Sequence, residues 1–296
     1  MAAGREARAQ AECPECRGTG WRERAVDGTR RAERCDCWRA GVAERMLARA
    51  RIPARYAKCD FSTFIAYENE KLQRAFRKAR EFAAAFPVVD KGLLFIGPPG
   101  IGKTHLAVSV LREVVLMGLR GVYYDTRSLL STIRSTYNPV TRASEAEILD
   151  EVMNAELLVL DDLGAERVTD WVEETMHLVV NTRYNEKRPT VFTTNYEDLS
   201  DVGNLDSLFV RVGYRLHSRL REMCEFLEYD GPDYRDFEHP PTAEFLYQKW
   251  KMGQGRPAGP SASPVGRLPQ RTSGRARARL PEGPLDVGWA GGKAGT

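Results

Sequence analysis

The sequence predicts a three-layer α/β domain in which helices cover both faces of a mostly parallel five-stranded sheet, with a small cysteine module ahead of it and a basic tail behind. Three observations carry that prediction. Five short apolar runs alternate with stretches of helical periodicity, a glycine-rich loop ending in a lysine joins the first run to a helix, and composition changes abruptly at both ends of the chain. At 296 residues there is room for one sizeable core and an accessory module, and 42% hydrophobic with 29% charged residues excludes wholesale disorder.

Residues 1–58 form the predicted accessory module and its linker. Cys13-Pro14-Glu15-Cys16 and Cys35-Asp36-Cys37, separated by 18 residues, have the ligand count and type of a closed tetrahedral Zn²⁺ site. Four thiolates leave no open coordination position, which defines a structural metal. Its binding, on the order of 10–16 kcal/mol, would supply folding free energy that so short a segment lacks. Gly18-Thr19-Gly20 suits a tight turn, and Trp21 and Trp38 are placed to cover the metal. Free thiols or a redox pair are the competing readings, the second weakened by the C-x-C spacing. Cys59 and Cys224 stand far apart, so no disulfide framework is expected.

The main domain is predicted over 59–232. Leu72, Ala75, Phe76, Ala79, Phe82, Ala83 and Phe86 recur at helical spacing, and Pro87 stops that helix. Buried strands are expected at 93–96, 122–124, 157–160, 190–193 and 224–229. Helices near 103–117, 127–137, 171–187 and 207–222 separate them, and such alternation implies parallel pairing. An extension over 233–252 ends in a short helix near 243–251.

The chemistry collects where strands end, the edge at which open α/β sheets bind ligands. Gly97-Pro98-Pro99-Gly100-Ile101-Gly102-Lys103-Thr104 matches G-x-x-x-x-G-K-[ST] directly after a strand and directly before a helix, with His105 completing the stretch. The glycines let the backbone curl until its N–H groups face phosphate oxygens. The helix N-terminus adds positive potential, Lys103 a cation for the β- and γ-phosphates, and Thr104 a hydroxyl for Mg²⁺. The predicted ligand is therefore a nucleoside triphosphate with Mg²⁺, which the family resemblance below narrows to ATP. The run at 157–160 leads into Asp161 and Asp162, the first suited to hold Mg²⁺ through water, the second to orient or deprotonate an attacking water. Asn195, after Thr193-Thr194, can hydrogen-bond the γ-phosphate or that water.

On the helix predicted at 207–222, Arg211, Arg215 and Arg219 lie at i, i+4 and i+8, and Arg221 follows. Their shared face either meets solvent or presents a guanidinium to the γ-phosphate of a neighbouring subunit. Arg127, Arg134, Tyr137 and Arg142 offer cations and an aromatic to single-stranded DNA, or simply the polar face of an amphipathic helix.

Both ends of the chain are basic, +6 over 1–58 and +5 over 253–296, against −8 between them. The last 44 residues hold ten of 25 glycines and six of 16 prolines, so 253–296 is expected to be a disordered tail, compatible with non-specific DNA contact or with solubility alone. No apolar run reaches the roughly 18 residues of a membrane span, and residues 1–10 lack a signal-peptide core. A cytoplasmic location is expected.

Together these motifs resemble the AAA+ (ASCE) ATPases, and among them the DnaC/DnaI-type replicative helicase loaders and the related IstB-type transposition ATPases. The resemblance spans roughly 50–235 and rests on Ile52-Pro53-Ala54-Arg55-Tyr56, Cys59-Asp60-Phe61 with Phe64, the phosphate loop, Asp161-Asp162-Leu163-Gly164, Thr193-Thr194-Asn195, Arg215-Leu216-His217-Ser218-Arg219-Leu220 and Asp233-Tyr234-Arg235. It implies an ATPase in which Asn195 is the sensor-1 residue and Arg219, with Arg215 as second candidate, is an arginine finger acting in trans. ATP-dependent self-association, a hexameric replicative helicase as partner and a grip on single-stranded DNA follow, with the zinc module docking the helicase. An IstB-like helper acting on duplex DNA is the alternative. Two departures stand out. Asp162 replaces the glutamate of many AAA+ proteins, and the chain is short for a full helical lid, leaving Arg235 as the substitute for a sensor-2 arginine. Tyr56 and Phe61 lie in a plausible segment for adenine.

Overall fold

The computed structural model describes residues 13–26, 29–136, 145–199, 204 and 207–253. The predicted tail lies outside them except for Gly253.

A two-stranded antiparallel hairpin comes first, β1 (Trp21–Val26) against β2 (Thr29–Arg34), followed by α1 (Asp36–Arg49). After α2 (Glu70–Ala85) the main sheet begins with β3 (Gly92–Ile96), and α3 (Lys103–Leu116) leads to β4 (Gly121–Asp125). Two short helices, α4 (Thr126–Ser135) and α5 (Glu145–Asn154), precede β5 (Leu157–Asp161). The chain continues through α6 (Asp170–Asn185), β6 (Thr190–Thr194), α7 (Leu208–Val212), α8 (Tyr214–Met223) and β7 (Cys224–Glu228) to α9 (Ala243–Gly253).

The five strands are parallel throughout, in the order β4-β5-β6-β3-β7. Alternation of side chains across the pleat divides the core in two. Leu93, Phe95, Leu157, Val159 and Val191 face one layer with α2 and α3, whereas Leu94, Ile96, Leu158, Leu160 and Phe192 face the other with α4 to α8. Both faces being covered, the strands are continuous apolar runs, which is why the sequence revealed them. Helix starts are fixed by side chains: Asn69 accepts the Leu72 N–H, Asp125 that of Ser128, and Thr169 that of Val172.

Two expectations about helices change. The helix expected over 207–222 is broken at Gly213, whose φ of +78° no α-helix accommodates. Arg211 therefore sits on α7, its guanidinium 4.6 Å over the Tyr196 ring, and does not extend the Arg215–Arg219 face. Helix α5 was not anticipated, because its acidic residues hide the apolar pair Ile148 and Val152 that it buries. It lies between α4 and β5.

The C-terminal end of α5 is held by Arg183, which is 1% exposed. Its guanidinium donates to the carbonyls of Val152, Met153, Ala155 and Pro189 at 2.6–3.2 Å and to Thr190 Oγ1 at 2.8 Å. These carbonyls include ones the helix cannot satisfy itself. Arg183→Met keeps the bulk but strands those acceptors. It is expected to cost about 3–5 kcal/mol, read as a lowered urea midpoint at unchanged slope.

At the sheet margin the Tyr123 N–H donates to Ala50 O at 2.8 Å, so the segment following α1 runs beside β4.

Candidate nucleotide site and cysteine cluster

The phosphate loop turns between β3 and α3 in backbone conformations that glycine provides. Gly97 has φ +147° and a Cβ there would lie 2.0 Å from Tyr229 O; at Gly100, φ +79°, it would overlap the Asp233 carboxylate. The segment after β7 is thereby laid against the loop, and the Tyr234 N–H donates to Gly100 O at 3.0 Å. Helix α3 starts at Lys103, so the first N–H groups of the helix have no intrahelical acceptor and face the loop's hollow.

Lys103 is 6% exposed and its Nζ donates to Gly97 O at 2.7 Å and Pro98 O at 2.6 Å. Burial pulls its pKa from the ordinary lysine range down to about 8, against the opposing pull of Asp162 and Asp161. Beside it Thr104 Oγ1 donates to Asp161 Oδ1 at 2.8 Å. The Asp161 carboxylate, 6% exposed, also accepts from Thr193 Oγ1 at 2.6 Å and Tyr123 OH at 2.7 Å. Three hydroxyls around one buried carboxylate compensate its desolvation and fix its direction.

Asp162 leaves the strand with φ +59°, a left-handed conformation that turns its side chain away from Asp161. Its N–H donates to Thr193 Oγ1 at 2.9 Å, and its Oδ1 accepts from Asn195 Nδ2 at 2.7 Å. Burial, and then the charge of Asp161, raise its pKa above the usual carboxylate range. Two adjacent acids thus acquire different surroundings. Asp161 points to Thr104, and Asp162 pairs with Asn195.

These groups line one cavity of about 560 Å³ with Pro99, Gly100, Ile101, Gly102 and His105. Tyr56, Phe64, Ile65 and Leu246 form its apolar side, and Arg235 lines it as well. Phe61 does not line it but packs edge-on against Phe76 at 5.9 Å. His105 Nε2 lies 2.9 Å from Asp60 O and 3.2 Å from Thr63 Oγ1, tying α3 to the segment after Cys59; burial lowers its pKa. A hollow with one buried cation, hard oxygen ligands and an apolar flank fits a nucleoside triphosphate with a divalent ion.

Sequence reasoning missed Tyr123, and it did not give Thr193 a role. A phenol in a buried strand requires a partner, and that was the available signal. Arg215 and Arg219 lie on α8, outside the lining of this cavity; Arg219 Nη1 donates to Arg215 O at 3.1 Å. Of the residues considered for single-stranded DNA, Arg127 donates to Ala165 O and Arg134 lies 4.5 Å over the Trp171 ring, while Tyr137 and Arg142 fall outside the described residues.

The four N-terminal cysteines converge as their spacing suggested. All four Sγ atoms lie within 4.8 Å of one another, with Cys13–Cys35 at 3.7 Å and Cys16–Cys37 at 3.3 Å. Tetrahedral Zn–S bonds of about 2.3 Å place sulfurs at comparable separations. Cys16 and Cys35 are buried. Burial opposes ionisation of Cys16, but hydrogen bonds from the Gly20 and Gly18 backbone and the neighbouring thiols prevail and hold it at about 6; burial and the other thiols push Cys37 up to about 12. Four convergent sulfurs at these separations are a donor set that fits Zn²⁺. Trp21 and Trp38 clamp the Arg34 guanidinium, at 3.8 and 4.3 Å from the ring centroids.

A parallel sheet with a phosphate loop after one strand, two acids after another and a polar side chain after a third defines a P-loop ATPase of the AAA+ class. The profile of the family described as IstB-like ATP binding protein matches residues 41–236. The replicative helicase loader DnaC of Escherichia coli (strain K12) is 27% identical over 183 residues, covering 62% of this chain and 71% of DnaC. A crystal structure of the DnaC helicase loader superposes with a TM-score of 0.52 at 35% identity, over 60% of this chain and 99% of that one. The DnaI crystal structure shares the fold, with a TM-score of 0.51 at 23% identity over 62% of this chain and 94% of the crystallised chain. The chain belongs to the IstB-like ATP-binding family, the AAA+ family that includes the DnaC-type helicase loaders. The cysteine cluster precedes the matched residues. Among the described residues no helix is long and apolar enough to cross a membrane.

Proposed function

We propose that this protein is an ATP-hydrolysing loader of a hexameric replicative helicase, acting in the cytoplasm and holding single-stranded DNA in a manner set by its nucleotide state. The observation that carries the ATPase is the hydrogen-bonded chain Thr104–Asp161–Thr193–Asp162–Asn195 beside Lys103 at the strand ends. Lys103 neutralises the β- and γ-phosphates, and the loop's N–H groups hold their oxygens. Thr104 and Asp161 would hold Mg²⁺, which supplies further neutralisation of phosphate charge. Asp162, its pKa raised by burial, orients the attacking water and draws on its proton. Asn195 keeps that carboxylate aimed and reads the γ-phosphate. Arg219, with Arg215 beside it, serves the site of a neighbouring copy, so ATP binding and self-association go together.

Identity with the DnaC loader supports the helicase as partner, and the cysteine cluster supports a docking module ahead of the ATPase match at 41–236, the later part of the 1–58 segment packing on the ATPase core through Ala50 and Tyr56. Cys13, Cys16, Cys35 and Cys37 would hold structural Zn²⁺ there. The family description favours a second reading, a transposase-assisting ATPase on duplex DNA. Co-elution of the full chain with the host's hexameric helicase, with and without ATP, separates the two. A complex is expected for the loader. No complex in any state, with turnover answering to duplex DNA, favours the transposition helper.

The double variant C16S/C35S is expected to lose the roughly one equivalent of zinc per chain that colorimetric release should detect in the wild type. ATP affinity should persist while the helicase complex is lost. Retained co-elution would separate the cluster from docking.

A further inference from the structure

The four residues that follow β6 reach in two directions. Asn195 donates to Asp162 in the nucleotide cavity. The Tyr196 ring lies beneath the Arg211 guanidinium of α7 and beside Gly164. Glu197 O accepts the Leu208 N–H at the start of α7. Asp198 accepts from His217 Nε2 at 2.7 Å through Oδ1 and from Arg221 Nη2 through Oδ2, both on α8, and its side chain is 13% exposed. The His217 ring is wedged edge-on between Phe209 of α7, at 5.4 Å, and Phe226 of β7, at 6.2 Å. One short strap thus holds the carboxylate beside the phosphate site at one end and the arginine helix at the other.

Helical geometry makes the arrangement two-sided. At about 100° per residue, His217 and Arg221 share one face of α8, while Arg215 and Arg219 lie roughly opposite. Leu216 and Leu220, both buried, occupy the flank between and seat the helix on the core. The strap holds the face that does not carry the offered arginines. Any shift of residues 195–198 is passed to Arg215 and Arg219 through the helix as a rigid body, because side chains this well packed have no slack to absorb it.

We infer that Asp198 and His217 are positioning residues that couple a copy's own nucleotide site to the arginines it presents to its neighbour. The inference rests on the reading of Arg219 and Arg215 as trans-acting, and it assigns the strap as the link between reading a γ-phosphate in one subunit and completing the site of the next. Asp198 touches no nucleotide. Its loss leaves the copy's own Lys103, Asp161 and Asp162 in place and misplaces only what that copy lends.

The test is complementation between full-length variants with Mg·ATP and oligo(dT). Asp198→Ala alone is expected to lose at least about tenfold in kcat, with KM changed less than about twofold, the pattern of a contribution made in the transition state. Asp162→Asn alone is expected to be inactive yet still to bind ATP and assemble, since it keeps Lys103 and an oxygen to accept from Asn195, and it carries intact arginines. Mixed in equal amounts, the two should recover about a quarter of wild-type turnover, the share of interfaces that pair a sound site with sound arginines when copies assemble at random. The double variant D198A/R219A should be no slower than R219A, since both remove one contribution. His217→Gln, which keeps an N–H donor, should retain most activity where His217→Ala does not, and this pair decides the matter should Asp198→Ala unfold.

Recovery for R219A mixed with D162N but none for D198A mixed with D162N would overturn the coupling and leave the trans arginine standing. No recovery in either mixture would overturn the trans arginine and the coupling with it. Multiplying losses in D198A/R219A would show the strap acting elsewhere.

Discussion

Arg219→Ala is expected to leave ATP affinity within about a factor of two while stimulated turnover falls on the order of 10³–10⁵-fold, about 4–7 kcal/mol of transition-state stabilisation. The asymmetry follows from where Arg219 stands. It lies on α8 away from the residues lining its own copy's cavity, so no contact to bound nucleotide in cis is removed. A guanidinium brought by a neighbour meets charge that grows as the γ-phosphoryl group departs, and acts on the rate rather than on ground-state binding. Fluorescent-nucleotide titration gives the first quantity and phosphate release under DNA-stimulated conditions the second. Equal turnover in variant and wild type would remove Arg219 from the site. Arg215→Ala should lose less, because its side chain is more exposed on the same face and it supports Arg219 through the carbonyl that accepts from it.

Lys103→Ala is expected to lower turnover at least about a hundredfold, the loss typical of one preorganised donor, and to weaken ATP binding as well. Lys103 also predicts a pH dependence. Burial lowers its pKa to about 8, so the nucleotide-free protein carries a neutral lysine above that pH, whereas bound phosphates favour the charged form and raise the pKa again. ATP binding should therefore take up a proton near pH 9 and weaken as pH rises through 8. Calorimetry in buffers of different ionisation enthalpy measures the uptake directly. An apparent heat independent of buffer would show the lysine already charged. At pH 6 the wild type should bind with no net uptake at this residue.

What the sequence discloses depends on how local the physical signal is. The strands were legible because a sheet covered on both faces turns each strand into an apolar run, and Leu157 to Leu160 ending in Asp161 and Asp162 marks strand and site in six residues. The cysteine cluster was legible from spacing and its convergence needed only a hairpin to close it. The break at Gly213 was not. Glycine inside a helical pattern is tolerated often enough that periodicity does not show the turn at Gly213, which lets Leu208 and Val212 of α7 and Leu216 and Leu220 of α8 enter one core from two helices. Contacts that cross the fold were also beyond reach. Tyr123 and Asp161 stand 38 positions apart, and Asp198 meets His217 only because a strand end and a helix are brought together by the sheet. Phe61 shows the converse error, an aromatic in the right segment whose neighbour Phe64 takes the place at the cavity.

The hydrogen bond from Tyr123 to Ala50 has a bearing on how the protein is dissected. Strand β4 is the outer strand of the sheet on that side, and an open margin of this kind offers unpaired N–H and C=O groups to any passing chain. Ala50, fully buried, screens part of it. A fragment starting at residue 59 would remove that screen along with the cysteine cluster and is expected to self-associate through β4 irrespective of nucleotide. A fragment starting at residue 41 would keep the screen, so comparing the two by light scattering without ATP tells an exposed strand from nucleotide-driven assembly.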